Sequence, residues 1–334
     1  MATHVSLHIA ISLFYRRLSS LIISSSRLIT TYTKATNSLA CVEKVQHFTN
    51  TIEEENYSYP NLAFKEFQTE GSIVFHNVSM RYRKENALAL DSISFGIKPG
   101  QKCAIIGKTA SGKSSIFNCL LRFQEIEKDL QNSSGIYLDG IDIREIPLTT
   151  LRKCLSYIPQ QPTLFLGTLR ENLDFNSSLS DSEIIQVLDK VGLTEVLHHK
   201  ILNESSKFDN ILDYKILDDA NNFSQGEKQL ICLARCILKK SKIILMDEAT
   251  SNIDNYTDVQ IQKTLRGPLF ENCTIITIAH RIATVKDYDK MILLSNGQVL
   301  MDDIPEVVLR QFETHVMERN KHFNETLRPL YFRQ

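Results

Sequence analysis

Residues 102–123 read Lys102-Cys-Ala-Ile-Ile-Gly107-Lys-Thr-Ala-Ser-Gly112-Lys-Ser-Ser115-Ile-Phe-Asn-Cys-Leu-Leu-Arg-Phe123. The apolar run ending at Gly107 predicts a short buried strand, and Ser115 to Phe123 predicts a helix. Strand, glycine-rich turn and helix form the setting of a phosphate loop. Gly107, Lys108, Thr109, Ala110, Ser111, Gly112, Lys113 and Ser114 fit the spacing G-x-x-x-x-G-K-[S/T]. Its glycines let backbone N–H groups wrap a phosphate chain at a helix N-terminus, Lys113 reaches the β- and γ-phosphates, and the Ser114 hydroxyl ligates Mg²⁺. Ser115 follows directly and joins the residues expected around the phosphates.

The chain around this loop has 334 residues, enough for about two domains and a sizeable core. Lys plus Arg number 38 against 39 Asp plus Glu, a net charge of −1. That balance disfavours a nucleic-acid partner held by basic charge, and 43% hydrophobic residues disfavour wholesale disorder. Only twelve glycines occur, so their clustering in the loop carries weight. The seven cysteines are an odd number, widely spread and flanked mostly by apolar residues, which predicts reduced, largely buried thiols. Cys232 and Cys236 lie one helical turn apart, but no second Cys or His pair stands at zinc spacing.

Working outward, the first 48 residues form an arm whose first acid is Glu43 and whose only earlier fixed charges are Arg16, Arg17, Arg27 and Lys34. A membrane span needs about 20 predominantly apolar residues, and neither uncharged run here is convincing. An Arg- and Ser-rich transit peptide and an amphipathic helix are the other two readings of its composition. Residues 49–70 lose helical periodicity and gain acids and Pro60, so they read as a linker. From Gly71, Ser72 to Tyr82 and Leu90 to Ile97 alternate like strands. Ser180 and Glu183 open an amphipathic helix with Ile184, Ile185, Val187, Leu188 and Val191 on its stripe. Lys242 to Met246 and Cys273 to Ala279 look like buried parallel strands, with a helix at Lys228 to Leu238 before the first and a polar segment at Asp254 to Thr264 before the second. Residues 311–334 are left as a C-terminal tail.

A phosphate loop needs a carboxylate to hold its metal, and Asp247 at the end of Ile243-Ile-Leu-Met246 is the best candidate. Glu248 follows, where it could act as general base on an attacking water. Further segments then fall in order: Ile158-Pro-Gln160, Asn222-Phe-Ser224-Gln-Gly226-Glu-Lys-Gln229, Ser251-Asn-Ile-Asp254 and Ile278-Ala-His280-Arg281.

This ordered set resembles the nucleotide-binding domain of an ATP-binding cassette (ABC) transporter, over about Ser72 to Pro305. Arg81-Tyr82-Arg83, Pro159-Gln160-Gln161-Pro162, Leu164-Phe-Leu-Gly-Thr-Leu-Arg-Glu-Asn-Leu-Asp174 and Asn222-Phe-Ser224 are similar to the second such domain of subfamily C, the multidrug-resistance-associated proteins. Asn37-Ser-Leu-Ala-Cys-Val-Glu43-Lys-Val45 looks like the segment after their last membrane helix, which favours reading the arm as a remnant of that helix.

The resemblance implies an α/β phosphate-loop core with a parallel sheet, an N-terminal antiparallel β subdomain and an inserted helical subdomain at about 160–235, all within 71–310. It implies ATP and Mg²⁺ as ligands, with Ser114, Gln160 and Asp247 at the metal. Tyr82 would stack on adenine, Glu248, Gln160 and His280 would serve catalysis, and Ser224 and Gly226 would meet the γ-phosphate held by an opposing domain. The implied partners are a second such domain, paired head to tail, and a transmembrane domain. The implied place is at a membrane, facing the cytoplasm.

Three departures bear on that reading. Gln225 and Glu227 stand where the family's signature has a glycine and a glutamine, and are expected to weaken the contact by bulk and by negative charge. Ala110 replaces a common glycine, a small change unless the position needs φ > 0. Two rival functions remain open: a regulatory nucleotide-binding module of a subfamily C channel or receptor, and a soluble cassette ATPase of translation or DNA repair.

Overall fold

The computed structural model describes residues 2–51, 67–127, 134–203, 210–217, 220–249, 253–279 and 281–311. Contacts divide the chain into two units, Met1–Tyr57 and Ser58–Gln334. In the first, α1 (Ala2–Thr51) is one continuous helix, running three residues past the expected end at 48. The Ser and Thr residues that dilute its apolar runs satisfy their hydroxyls within the helix. Ser19 donates to the Tyr15 carbonyl, Ser24 to Ser20 and Thr30 to Ser26, each four residues back. Among the described residues, no helix is long and apolar enough to cross a membrane.

The second unit opens with β1 (Ile73–Met80), β2 (Leu90–Ile97), β3 (Lys102–Gly107) and α2 (Lys113–Leu120). It continues with β4 (Gly135–Leu138), β5 (Ile141–Asp142), α3 (Leu148–Cys154) and β6 (Leu155–Ile158). Next come β7 (Gly167–Thr168), α4 (Leu169–Leu173), α5 (Asp181–Lys190), α6 (Thr194–Asn203), β8 (Lys215–Ile216) and α7 (Gln225–Lys239). The last elements are β9 (Ile243–Asp247), α8 (Asn255–Leu265), β10 (Thr274–Ile278), α9 (Ile282–Val285), β11 (Lys290–Ser295) and β12 (Gln298–Asp303).

Six strands form one sheet in the order β12-β11-β3-β10-β9-β6, parallel throughout except for β12 at its edge. β9 is buried along four of its five residues and β10 along all five, because both sheet faces are covered; hence they read as unbroken apolar runs. Their register places Ile278 opposite both Asp247 and Ile105, and Ile158 opposite Met246. The strand ends carrying Gly107, Asp247 and Pro159 therefore emerge side by side, at the carboxyl edge where open α/β sheets bind ligands. A second, antiparallel sheet has the order β2-β1-β4-β5.

Between β6 and β9 the chain is mainly helical, with the small pair β7-β8. Helix α5 begins with the expected capping box, Ser180 and Glu183. Ile184, Val187, Leu188 and Val191 are buried, whereas Ile185 faces outward, since positions i, i+3, i+4 and i+7 already fill the buried stripe. All seven cysteines are free; Cys103, Cys119, Cys232 and Cys236 are buried, Cys154 and Cys273 are partly covered, and Cys41 is exposed. Burial pushes the Cys119 and Cys236 thiols up to about 12, far from nucleophilic use.

Candidate functional site

The phosphate loop leaves β3 and enters α2 at Gly112, whose φ is +100°. A Cβ there would lie 2.5 Å from the Ala89 carbonyl oxygen, so only glycine fits. Lys108, Thr109 and Ala110 form the exposed tip. Ala110 adopts φ +63°. The glycine-to-alanine departure thus falls on a position that does need positive φ, and it carries strain of about 1 kcal/mol. Lys113 is buried, and its ammonium donates to the carbonyls of Gly107 (3.0 Å) and Lys108 (2.9 Å), closing the loop on itself. Burial lowers its pKa, against the opposing pull of Glu248 and Asp247. The buried Ser111 Oγ has no hydrogen-bond partner among the described residues.

Facing the loop, the Asp247 carboxylate accepts from Ser114 Oγ through Oδ1 (3.4 Å) and from the Tyr157 hydroxyl through Oδ2 (3.2 Å). Burial raises the Asp247 pKa, while Tyr157, Ser114 and Lys113 hold it back. Glu248 adopts φ +49°, a conformation rare for its residue type and one that collects at functional sites. The Gln160 side-chain amide donates to Glu248 Oε2 (2.9 Å). Five of the expected residues, Lys113, Ser114, Gln160, Asp247 and Glu248, thereby meet at one sheet edge. Hydroxyl, carboxylate and amide oxygens form a hard donor set of the kind Mg²⁺ takes alongside substrate phosphates.

Tyr82 lies beside α2 with its hydroxyl 3.0 Å from both Ser115 Oγ and Asn118 Nδ2, and its ring partly open to solvent. His280, Ser251 and Asn252 lie outside the described residues. Asp254 caps α8 by accepting from the Thr257 N–H at 3.0 Å.

Helix α7 starts at the signature segment. Ser224 is its N-cap, and a full capping box forms: Ser224 Oγ accepts from the Glu227 N–H (3.2 Å) and Glu227 accepts from the Ser224 N–H (2.7 Å). Lys200 pairs with the same carboxylate at 3.1 Å and donates to the Asn222 carbonyl. The Glu227 carboxylate folds back onto its own helix end and has a cation beside it. Gln225 is exposed, and Gly226 is buried, where a Cβ would lie 2.8 Å from Thr257 Cγ2.

With this geometry in place, the ABC transporter family model matches residues 90–251. Residues 90–251 belong to the ABC transporter family. The ABC domain is an ATP-binding domain, and members of subfamily C are among its relatives. Rat ATP-binding cassette sub-family C member 2 is 38% identical over 83% of this chain and 17% of its own length. Human sub-family C member 4 is 37% identical over 83% of this chain and 20% of its own. The chain spans about a fifth of the length of these curated relatives. A bacterial Atm1-family ABC exporter with ATP bound superposes with a TM-score of 0.71 at 26% identity, covering 86% of this chain and 48% of that one.

Three residues of the ABC domain have structural contacts that the motif-based reading does not assign. Tyr157 reaches Asp247, and Lys200 reaches Glu227. Gln229 is buried and donates to the Pro159 carbonyl at 2.9 Å, tying the signature helix to the loop that carries Gln160. Gln229 stands in the quoted signature. Tyr157 and Lys200 carry no motif that would have marked them.

Proposed function

We propose that this chain is the nucleotide-binding domain that powers a membrane exporter, binding Mg·ATP and hydrolysing it when paired head to tail with a second such domain. The convergence of Lys113, Ser114, Asp247, Glu248 and Gln160 at the carboxyl edge of the parallel sheet carries this reading. Lys113 offers its charge to the β- and γ-phosphates, and Tyr82 presents an aromatic face to the adenine. Ser114, Asp247 and Gln160 would hold Mg²⁺, which when bound neutralises charge that develops on the phosphates. Glu248 takes the proton of the attacking water, oriented by Gln160, and His280 senses the γ-phosphate. Ser224 and Gly226 act on the nucleotide of the opposing domain, and a transmembrane domain receives the motion. The domain then works at the cytoplasmic face of a membrane.

An ionisable Glu248 within reach of Gln160 favours turnover over a purely regulatory module. The test is Glu248→Gln in the assembled transporter, which should retain ATP binding and slow hydrolysis roughly 10²–10⁴-fold, about 3–5 kcal/mol. Wild-type turnover by that variant would sink the catalytic assignment. The isolated chain should hydrolyse slowly, since a homodimer places this altered signature over both nucleotides.

A further inference from the structure

Strand β6 carries a residue that no motif marks. Along Leu155–Ile158 the side chains of Leu155, Ser156 and Ile158 are buried, while Tyr157 is 40% exposed at the edge where the site assembles. Its ring meets Phe117 of α2 edge-on, with centroids 6.2 Å apart and planes at 83°. Its hydroxyl reaches Asp247 Oδ2 at 3.2 Å. Ser114 occupies the other carboxylate oxygen at 3.4 Å. Each oxygen of Asp247 thus has its own hydroxyl partner, one from the phosphate-loop helix and one from the neighbouring strand.

We infer that Tyr157 is a positioning residue for the magnesium site, its hydroxyl holding the Asp247 carboxylate in the orientation that meets the cation beside Ser114. The inference rests on the Mg·ATP reading above. Mg²⁺ demands near-octahedral geometry and tolerates little ligand wandering. A carboxylate at a strand end can rotate about its terminal bond, and a hydrogen bond to the distal oxygen removes that freedom. Groups that orient a metal ligand in this way are worth about 10- to 100-fold in metal affinity. The open position of Tyr157 points to the lower end of that range.

Tyr157→Phe keeps the ring against Phe117 and deletes only the hydroxyl. ATP binding by the full 334-residue chain should be measured by calorimetry in EDTA and across a magnesium titration, with the melting temperature as a check on folding. The expected result is unchanged affinity in EDTA and a half-saturating magnesium concentration raised roughly 10-fold. In an Asp247→Asn background the same substitution should change nothing further. A variant that responds to magnesium as the wild type does would overturn the inference, and so would an equal loss of affinity in EDTA. If the wild type itself binds ATP indifferently to magnesium, the underlying Mg·ATP reading falls, whatever Tyr157 does.

Discussion

Two helix N-termini in this domain are finished in opposite ways. Helix α2 begins at Gly112, in the left-handed conformation, and no side chain caps it. Helix α7 begins at Ser224 with a complete capping box, and Glu227 sits at its positive end with Lys200 alongside. A helix N-terminus attracts an anion through its N–H groups and its dipole. The first end leaves that capacity to a ligand, while the second spends it on the chain's own carboxylate. The Glu227 carboxylate therefore meets its own helix end and Lys200 rather than standing as an unbalanced charge.

Breaking the uncapped end should have the largest effect. Lys113→Ala should lower ATP affinity roughly 100-fold, about 3 kcal/mol for a charge-assisted contact in a partly buried site. Ser224→Ala should leave the isolated chain's ATP affinity unchanged if, as proposed, that residue serves the opposing domain, and should lower stability by about 1 kcal/mol through the lost cap. Calorimetry and thermal melts check both. If Ser224→Ala weakened binding by the isolated chain as much as Lys113→Ala, the contrast between the two ends would collapse.

The capped end can be sharpened through its ion pair. Lys200→Met should cost about 1 kcal/mol in a denaturant melt, the worth of a partly covered charge pair. Glu227→Gln should be nearly neutral, because glutamine still completes the box. Combining them should recover most of what Lys200→Met loses. A double variant as unstable as Lys200→Met alone would show that the lysine acts through the Asn222 carbonyl instead.

The smallest effect lies at the tip of the phosphate loop. Ala110→Gly relieves the positive φ and should raise stability by about 0.5–1 kcal/mol, or roughly 2 °C in melting temperature. A lowered melting temperature would mean that the alanine is not strained there.

Much of the site was legible because its elements are local. The strand before Gly107, the loop itself and the helix after it are contiguous, so spacing alone implied their geometry. β9 and β10 announced themselves as apolar runs because both faces of their sheet are covered. The capping box at Ser224 and Glu227 has the same three-residue spacing as the one at Ser180 and Glu183, so it too is written in the local sequence. Ile185 was assigned to a buried stripe that geometry had already filled.

What tertiary structure alone decided are the pairings across distance and the strained backbone. Tyr157 and Asp247 are 90 positions apart and meet because β6 lies beside β9. Lys200 meets Glu227 through the packing of the helical segment that separates those strands. The positive φ of Ala110 and Glu248 is set by what surrounds them, since nothing in either residue type prefers it. Sequence determined which chemistry this chain carries, because backbone loops, strands and caps are written over a few neighbouring residues. The fold decided which side chains hold that chemistry in place, because a hydrogen bond or ion pair depends on distance in space, which chain order does not specify.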